Sequence, residues 1–315
     1  MQARAFVILG PTASGKSALS LFLAGRYPVE IISMDSALVY RGMDIGSAKP
    51  TPAERALCPH HLIDVRDIGD PYSAADFVQD TLRLVDEIHA RGHYPLIVGG
   101  TMLYYKALSE GLNDMPSTDP AVRERILAQG QEIGWPAMHE RLSQVDPETA
   151  SRLSRNDSQR ISRALEVYEM TGKAISVFHS EQIRQPILSF ETVGLMIGER
   201  KILHARIEER FMAMLEAGFL DEVRALMCRA DFDELSPAMR AVGYRQAIQY
   251  LKGETGYEAF VAAGIAATRQ LAKRQITWMR GMDGLKLINP LAPQAGEEIS
   301  GAFEAVLNAR QDQTK

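Results

Sequence analysis

Eight consecutive residues, Gly10-Pro11-Thr12-Ala13-Ser14-Gly15-Lys16-Ser17, fit the phosphate-loop template G-x-x-x-x-G-K-[ST] at all four fixed positions. Such a loop points several backbone N–H groups at one spot, at the positive end of the helix that follows. Lys16 adds a full charge toward the terminal phosphate, and the Ser17 hydroxyl is of a type that ligates Mg²⁺. The chemistry is the binding of a phosphate chain, and the loop does not say which molecule carries it. Asp35 is the sharpest single candidate beside the loop: it ends an apolar run and can hold a metal ion or take a proton. The plainer alternative is a turn aspartate before Ser36. Thr101 follows Gly99-Gly100, where a hydroxyl either works in a site or merely caps a helix. Three basic segments complete the set. Arg152, Arg155, Arg160 and Arg163 stand close together with Gln159 and Ser162 among them, Arg240 and Arg245 bracket Ala-Val-Gly-Tyr, and Arg269, Lys273, Arg274 and Arg280 accompany Trp278. Arginine with Gln, Tyr and Trp suits phosphate contact plus stacking on bases; the alternative is a set of solvated helix faces.

These residues need elements to hold them. Ala5–Leu9 is a short apolar run that reads as a buried strand before the loop, and Ser17–Tyr27 carries apolar residues at helical spacing after it. Val29–Met34, His61–Val65 and Tyr94–Val98 read as further strands, and Ser73–Arg91 as an amphipathic helix with Ser73 as N-cap and Gly92 as stop. A helix is expected over 102–110. Strands alternating with helices imply a parallel, doubly wound sheet, whose ligands gather outside the carboxyl ends of the strands. That rule puts the loop, Asp35 and Thr101 around one crevice. From Asn113 to Pro120 the chain is turn chemistry and reads as a hinge, after which the patterns are helical to about Phe178. A strand at Thr192–Ile197 returns to the sheet, followed by helices at 202–218, 219–229, 244–252 and 257–279, a strand at 285–288 and a helix near 297–308. The expected architecture is an α/β core of residues 1–114 and 191–315, interrupted by a helical insertion at 115–190.

The composition, 46% apolar and 24% charged with a net charge of −5, describes an ordinary globular protein and argues against a general nucleic-acid coat. No apolar run approaches a membrane span and no secretory signal precedes the first strand, so a cytoplasmic protein is expected. Cys58 and Cys228 lack CxxC neighbours, and His60-His61 beside Cys58 has no further ligand cluster, so no structural metal site is read. An ATPase would also want a strand ending in a second acidic residue. The best strand ends in Gly-Gly-Thr instead, and Leu62-Ile63-Asp64 is a weak substitute. With the hydrolysis residues missing, the loop points to a transferase.

The phosphate loop, Ile32–Tyr40, Val98–Tyr104, Asp157–Tyr168, Ala241–Gln246 and Thr268–Trp278 together resemble the bacterial tRNA dimethylallyltransferases, in order and over about residues 5–285. Ser17 stands where threonine is common, and Met34 varies beside Asp35. The resemblance implies a P-loop NTPase-like sheet. It also implies Mg²⁺-dependent transfer of a dimethylallyl group from dimethylallyl diphosphate to N6 of the adenosine 3′ of a tRNA anticodon. It further implies diphosphate binding by residues 10–17, Mg²⁺ on Ser17, and Asp35 and Thr101 as catalytic residues. Contacts to tRNA would fall on Asp35, Ser36, Ala37, Leu38, Thr101, Arg123, Gln159, Arg160, Ile161, Ser162, Arg163, Arg240, Ala241, Val242, Gly243, Tyr244, Arg245, Lys273, Arg274, Gln275, Ile276, Thr277, Trp278, Met279 and Arg280. Arg206 or Arg210 would help hold the diphosphate, the insertion would grip the anticodon stem-loop, and the protein is expected to act as a monomer. The rivals are a small-molecule kinase using ATP at the loop, an isopentenyltransferase acting on free adenine nucleotides, and a non-catalytic RNA-binding module.

Overall fold

The structure, a computed structural model, describes residues 4–111, 115–116, 118–181 and 185–311. The first part of the chain runs β1 (Ala5–Leu9), α1 (Lys16–Ala24), β2 (Val29–Met34), α2 (Pro52–Leu57), β3 (His60–His61), α3 (Ala74–Ala90), β4 (Tyr94–Gly99) and α4 (Met102–Glu110). Then come α5 (Pro120–Ile133), α6 (Trp135–Val145), α7 (Pro147–Arg152), α8 (Ser158–Thr171) and α9 (Ile175–Glu181). The remainder is β5 (Phe190–Leu195), α10 (Arg200–Glu216), α11 (Phe219–Met227), α12 (Tyr244–Leu251), α13 (Tyr257–Arg280), β6 (Lys286–Ile288) and α14 (Ala295–Gln311). The chain divides into two compact units, Met1–Ser109 with Pro186–Lys315, and Glu110–Gln185. Of the segment read as a hinge, Asn113, Asp114 and Ser117 lie outside the described residues.

The larger unit is built on a sheet of order β3-β2-β4-β1-β5-β6, parallel at every pairing. Successive side chains of a strand point to opposite faces, and both faces here are covered. Phe6, Ile8, Ile31 and Leu96 pack with Leu19, Leu23 and Phe303 on the side of α1 and α14. Val7, Leu9, Ile32, Met34 and Ile97 join the larger core with residues of α3, α4 and α10–α13. That double burial is why β1 reads as an unbroken apolar run rather than an alternating one. The N-cap of α3 is as expected: Ser73 accepts from the Asp76 N–H and Asp76 answers to the Ser73 N–H, a capping box.

The third strand is shorter than its sequence suggests. Only His60 and His61 pair with β2, because Leu62 (φ 61°) and Asp64 (φ 58°) turn into the left-handed region and carry the chain away. Val65 and Arg66 instead donate to the Val39 carbonyl at 2.8 and 2.9 Å. Asp64, the weak stand-in for a second acidic residue, is held by Lys49 at 2.5 Å and by both terminal nitrogens of Arg55 at 3.0 Å. Burial alone would raise its pKa, but these two cations hold it below the usual carboxylate value.

The smaller unit has its own core of Ile126, Met138, Leu142, Ile161, Leu165 and Val167. Among the described residues no helix of either unit is long and apolar enough to cross a membrane.

Candidate active site

The phosphate loop leaves β1 at Leu9 and enters α1 at Lys16 through two left-handed residues, Ala13 (φ 62°) and Gly15 (φ 97°). Gly15 is the N-cap of α1 and, having no side chain, leaves the first N–H groups of the helix uncapped. An uncapped helix start with a lysine at its first position has the geometry and charge that suit an anion. Lys16 folds back over the loop, its Nζ donating to the Gly10 and Pro11 carbonyls at 2.9 Å each. Burial pushes the Lys16 ammonium down to about 8; Asp35 opposes the shift and Arg210 adds to it.

Around the loop lies a cavity of about 590 Å³, lined by residues from the carboxyl ends of β1, β2 and β4 and from α10 and α13. Lys16, Ser17, Asp35, Ser36, Thr101, Arg210, Arg240, Arg274 and Trp278 all border it. Asp35 is partly a turn residue: its Oδ1 accepts the Ala37 N–H at 2.9 Å. Thr101 does more than precede a helix. Its Oγ1 accepts the Ser36 N–H at 3.0 Å and lies 3.4 Å from the Ser36 hydroxyl, so the end of β4 is tied to the turn that carries Asp35. Gly99 permits this closeness, since a Cβ there would stand 2.0 Å from the Met34 carbonyl oxygen.

The two arginines offered for the diphosphate differ in what they do. Arg206 donates from Nε to the Ala13 carbonyl at 3.0 Å and braces the loop. Arg210 makes no hydrogen bond or ion pair among the described residues and borders both the cavity and the outer rim of the loop. Burial lowers its pKa and Asp35 partly restores it. Among the described residues no cluster of three or more His, Cys, Asp or Glu side chains is placed to hold a metal. A Mg²⁺ ion keeps most of its waters and takes few protein ligands when phosphates supply the rest. The Ser17 hydroxyl, exposed to the same cavity as Asp35, fits that need.

Several residues expected to touch RNA are turned inward. Ile161 is fully buried, and Ser162 is buried with its hydroxyl donating to the Gln159 carbonyl. Met279 packs against β5 beside Gly194. Tyr244 is buried, its hydroxyl donating at 2.7 Å to Glu222, and burial beside that carboxylate pushes the phenol far up. Glu222 also accepts the N–H groups of Asp44, Ile45 and Gly46 at 2.9, 2.6 and 3.1 Å, and so fixes a loop whose Gly46 and Ser47 border the cavity. Sequence reasoning missed Glu222, and no local signal marks it. Gln275, also buried, spends both ends of its amide inside the protein. The exposed members are Ser36, Arg240, Arg245, Lys273, Arg274, Thr277, Trp278 and Arg280 in the larger unit, and Arg123, Gln159 and Arg160 in the smaller. Ala241, Val242 and Ile276 are half-buried, the first two bordering the cavity, while Gly243 (φ 93°) is buried at the start of α12. Ala37 and Leu38 border the cavity too. In the smaller unit Arg163 donates to the Pro116 carbonyl at 2.7 Å and lies 3.3 Å from Glu166, while Arg123 stands 3.9 Å from the same buried carboxylate. His60 is hydrogen-bonded to the Cys58 carbonyl and His61 to Glu30, at 2.7 Å each.

Comparison with known proteins gives a consistent set of likenesses. A family model described as IPP transferase matches residues 38–282. The chain is 54% identical over 307 residues to the tRNA dimethylallyltransferase of Burkholderia cenocepacia (strain HI2424), covering 96% of this chain and 95% of that protein. It is 55% identical, with the same coverage, to the protein of that name from Burkholderia pseudomallei (strain 668). The structure of the full-length tRNA isopentenylpyrophosphate transferase from Bacillus halodurans superposes with a TM-score of 0.71 at 34% identity, covering 98% of each chain. A eukaryotic dimethylallyltransferase acting on tRNA gives 0.75 at 28% identity, covering 92% of this chain and 74% of that one.

Proposed function

Because this chain belongs to the IPP transferase family, we propose that it transfers a dimethylallyl group from dimethylallyl diphosphate to N6 of the adenosine 3′ of a tRNA anticodon. The observation that carries the reading is the junction of an uncapped phosphate loop with the Asp35–Ser36–Thr101 turn in one cavity. The diphosphate lies on the N–H groups of the loop and the start of α1, between Lys16 and Arg210. The Ser17 hydroxyl would hold a Mg²⁺ ion, which would supply further neutralisation of the leaving group. In the reaction the C1–O bond of the donor breaks and a bond forms from N6 to C1. The N6 proton passes to Asp35, and the diphosphate leaves on the loop. Adenine N6 is a weak nucleophile because its lone pair is delocalised into the ring, so a positioned carboxylate helps. Since the bond broken is C–O and not P–O, no lytic water has to be placed. That accounts for Asp64 being spent on Lys49 and Arg55.

The target base cannot react while stacked and has to be extruded into the cavity. Arg240, Arg274 and the half-exposed Trp278 at its border supply phosphate and stacking contacts. The exposed Arg123, Gln159 and Arg160 of the smaller unit serve the anticodon stem-loop. The test is direct: protein, Mg²⁺, dimethylallyl diphosphate and unmodified tRNA should yield tRNA heavier by one prenyl group. Transfer of phosphate from ATP to a small molecule, with no change in tRNA mass, would establish the kinase rival instead.

A further inference from the structure

The two loops that meet in the cavity are joined by one side chain from a distant helix. Gln275, on α13, accepts the Thr12 N–H at 2.9 Å through Oε1 and donates from Nε2 to the Gly100 carbonyl at 2.9 Å. Thr12 lies in the phosphate loop. Gly100 precedes Thr101, whose hydroxyl holds the Ser36 N–H beside Asp35. One planar amide thus links the cradle of the leaving group to the turn that carries the base. The fit is close: a Cβ on Gly100 would stand 2.3 Å from Nε2 and 2.8 Å from the Gly10 carbonyl. Neither end of the amide is replaceable by water without a vacancy, because Gln275 is only 7% exposed. Gln275 borders the cavity together with its helical neighbours Arg274 and Trp278, but those two are exposed whereas Gln275 is buried with both ends of its amide spent within the protein.

We propose that Gln275 is a positioning residue that sets the distance between the donor's diphosphate and the Asp35–Thr101 turn, and that it makes no contact with RNA. The inference rests on the transfer reaction proposed above for its catalytic consequence, but its effect on the phosphate loop is independent of that reaction. An amide has the right chemistry because it must accept at one end and donate at the other. A carboxylate accepts from Thr12 and repels the Gly100 carbonyl, whereas a carboxylic acid again does both.

The experiment compares Gln275→Glu, Gln275→Met and the unaltered protein for turnover at saturating tRNA, tRNA affinity, and affinity for inorganic diphosphate with Mg²⁺. Gln275→Met removes both hydrogen bonds at nearly constant volume. It should lower turnover on the order of 10²-fold, the scale of an ångström of misplacement, weaken diphosphate binding, and leave tRNA affinity within about twofold. Gln275→Glu should be impaired at pH 8 and recover toward the unaltered protein as the pH falls to 6, each compared at equal pH, because its buried carboxyl regains a proton. Thermal unfolding at each pH identifies the conditions under which both variants are folded, and a turnover loss that persists there distinguishes positioning from simple destabilisation. Weakened tRNA binding with normal turnover at saturation, or normal diphosphate affinity in both variants, would overturn the inference. Diphosphate affinity that depends on Gln275 in a protein that transfers no prenyl group would count against the proposed reaction alone.

Discussion

At the scale of single residues, the turn contact of Asp35 can be separated from the general-base role proposed for it. Its Oδ1 holds the Ala37 N–H, so an alanine there removes the turn contact together with the proposed base. Asparagine keeps an acceptor for Ala37 but cannot take a proton at neutral pH. Both Asp35→Ala and Asp35→Asn should cut turnover by roughly 10²–10⁴-fold, the usual range for general-base help, with tRNA affinity largely intact. If asparagine restored turnover, Asp35 would be a turn residue only, to be seen in single-turnover kinetics. Lys16 leads to a pH prediction. Its pKa in the free protein is about 8, lowered by burial, and a bound diphosphate restores the charged form. Diphosphate affinity should therefore be flat below pH 8. Above it, affinity should fall by up to about tenfold per pH unit, the limit for one linked proton. Calorimetry in buffers of different ionisation heat should find a proton taken up on binding at pH 9, and Lys16→Met should abolish that uptake. The residue types of this site were legible in the sequence because the phosphate loop and Asp35 sit in short, local patterns. The difference between two arginines was not: Arg206 and Arg210 look alike until the Ala13 carbonyl claims one of them.

Among the elements, β2 and β4 carry the site at their carboxyl ends and are locked at their amino ends by a buried charge. Glu30, 2% exposed, receives Arg91 through two nitrogens at 2.8 and 2.7 Å, with His61 and His93 beside it. Arg91, chiefly, then the two histidines, outweigh burial and hold the Glu30 carboxyl at about 2, below its ordinary 4.5. A depressed carboxyl stabilises the fold above its unfolded value and loses that contribution as pH falls through the folded one. Arg91→Ala should therefore lower stability at pH 7, since it removes the partner that chiefly holds the Glu30 carboxyl down. The gap to the unaltered protein should close as pH drops from 4.5 toward 2, read by urea unfolding. A gap that stayed constant over that range would place the effect in packing. Helices and strands here were mostly legible from period and caps, α3 with its capping box above all. The exception, β3, failed because the apolar pattern of His61–Val65 does not reveal that Leu62 and Asp64 adopt positive φ. That conformation is held by partners elsewhere, with Lys49 and Arg55 on Asp64.

For the whole molecule, the two units make distinct predictions. The larger keeps both hydrophobic clusters of the sheet and every residue that borders the cavity. The Ile187 N–H donates to the Leu108 carbonyl at 3.0 Å, so the chain leaves and returns at one place. Replacing residues 111–185 by a short Gly/Ser linker should leave a folded protein with unchanged diphosphate affinity. It should also lower tRNA affinity and flatten its dependence on salt, because each lost phosphate contact removes part of that slope. A variant with unaltered tRNA affinity and salt slope would take Arg123, Gln159 and Arg160 out of RNA recognition. By itself the sequence determined what depends on near neighbours: the strand–loop–helix around the phosphate site, the parallel sheet, and the order of motifs that marks the family. Backbone geometry and hydrophobic period are local, so they are written locally. The tertiary structure decided which polar groups are already spent. It joined Gln275 to Thr12 across 263 positions, turned Tyr244 inward onto Glu222, and left Arg210 at the cavity with no hydrogen bond or ion pair among the described residues. A hydrogen bond is satisfied by whatever packs beside it, and across such separations only the folded chain supplies that neighbour.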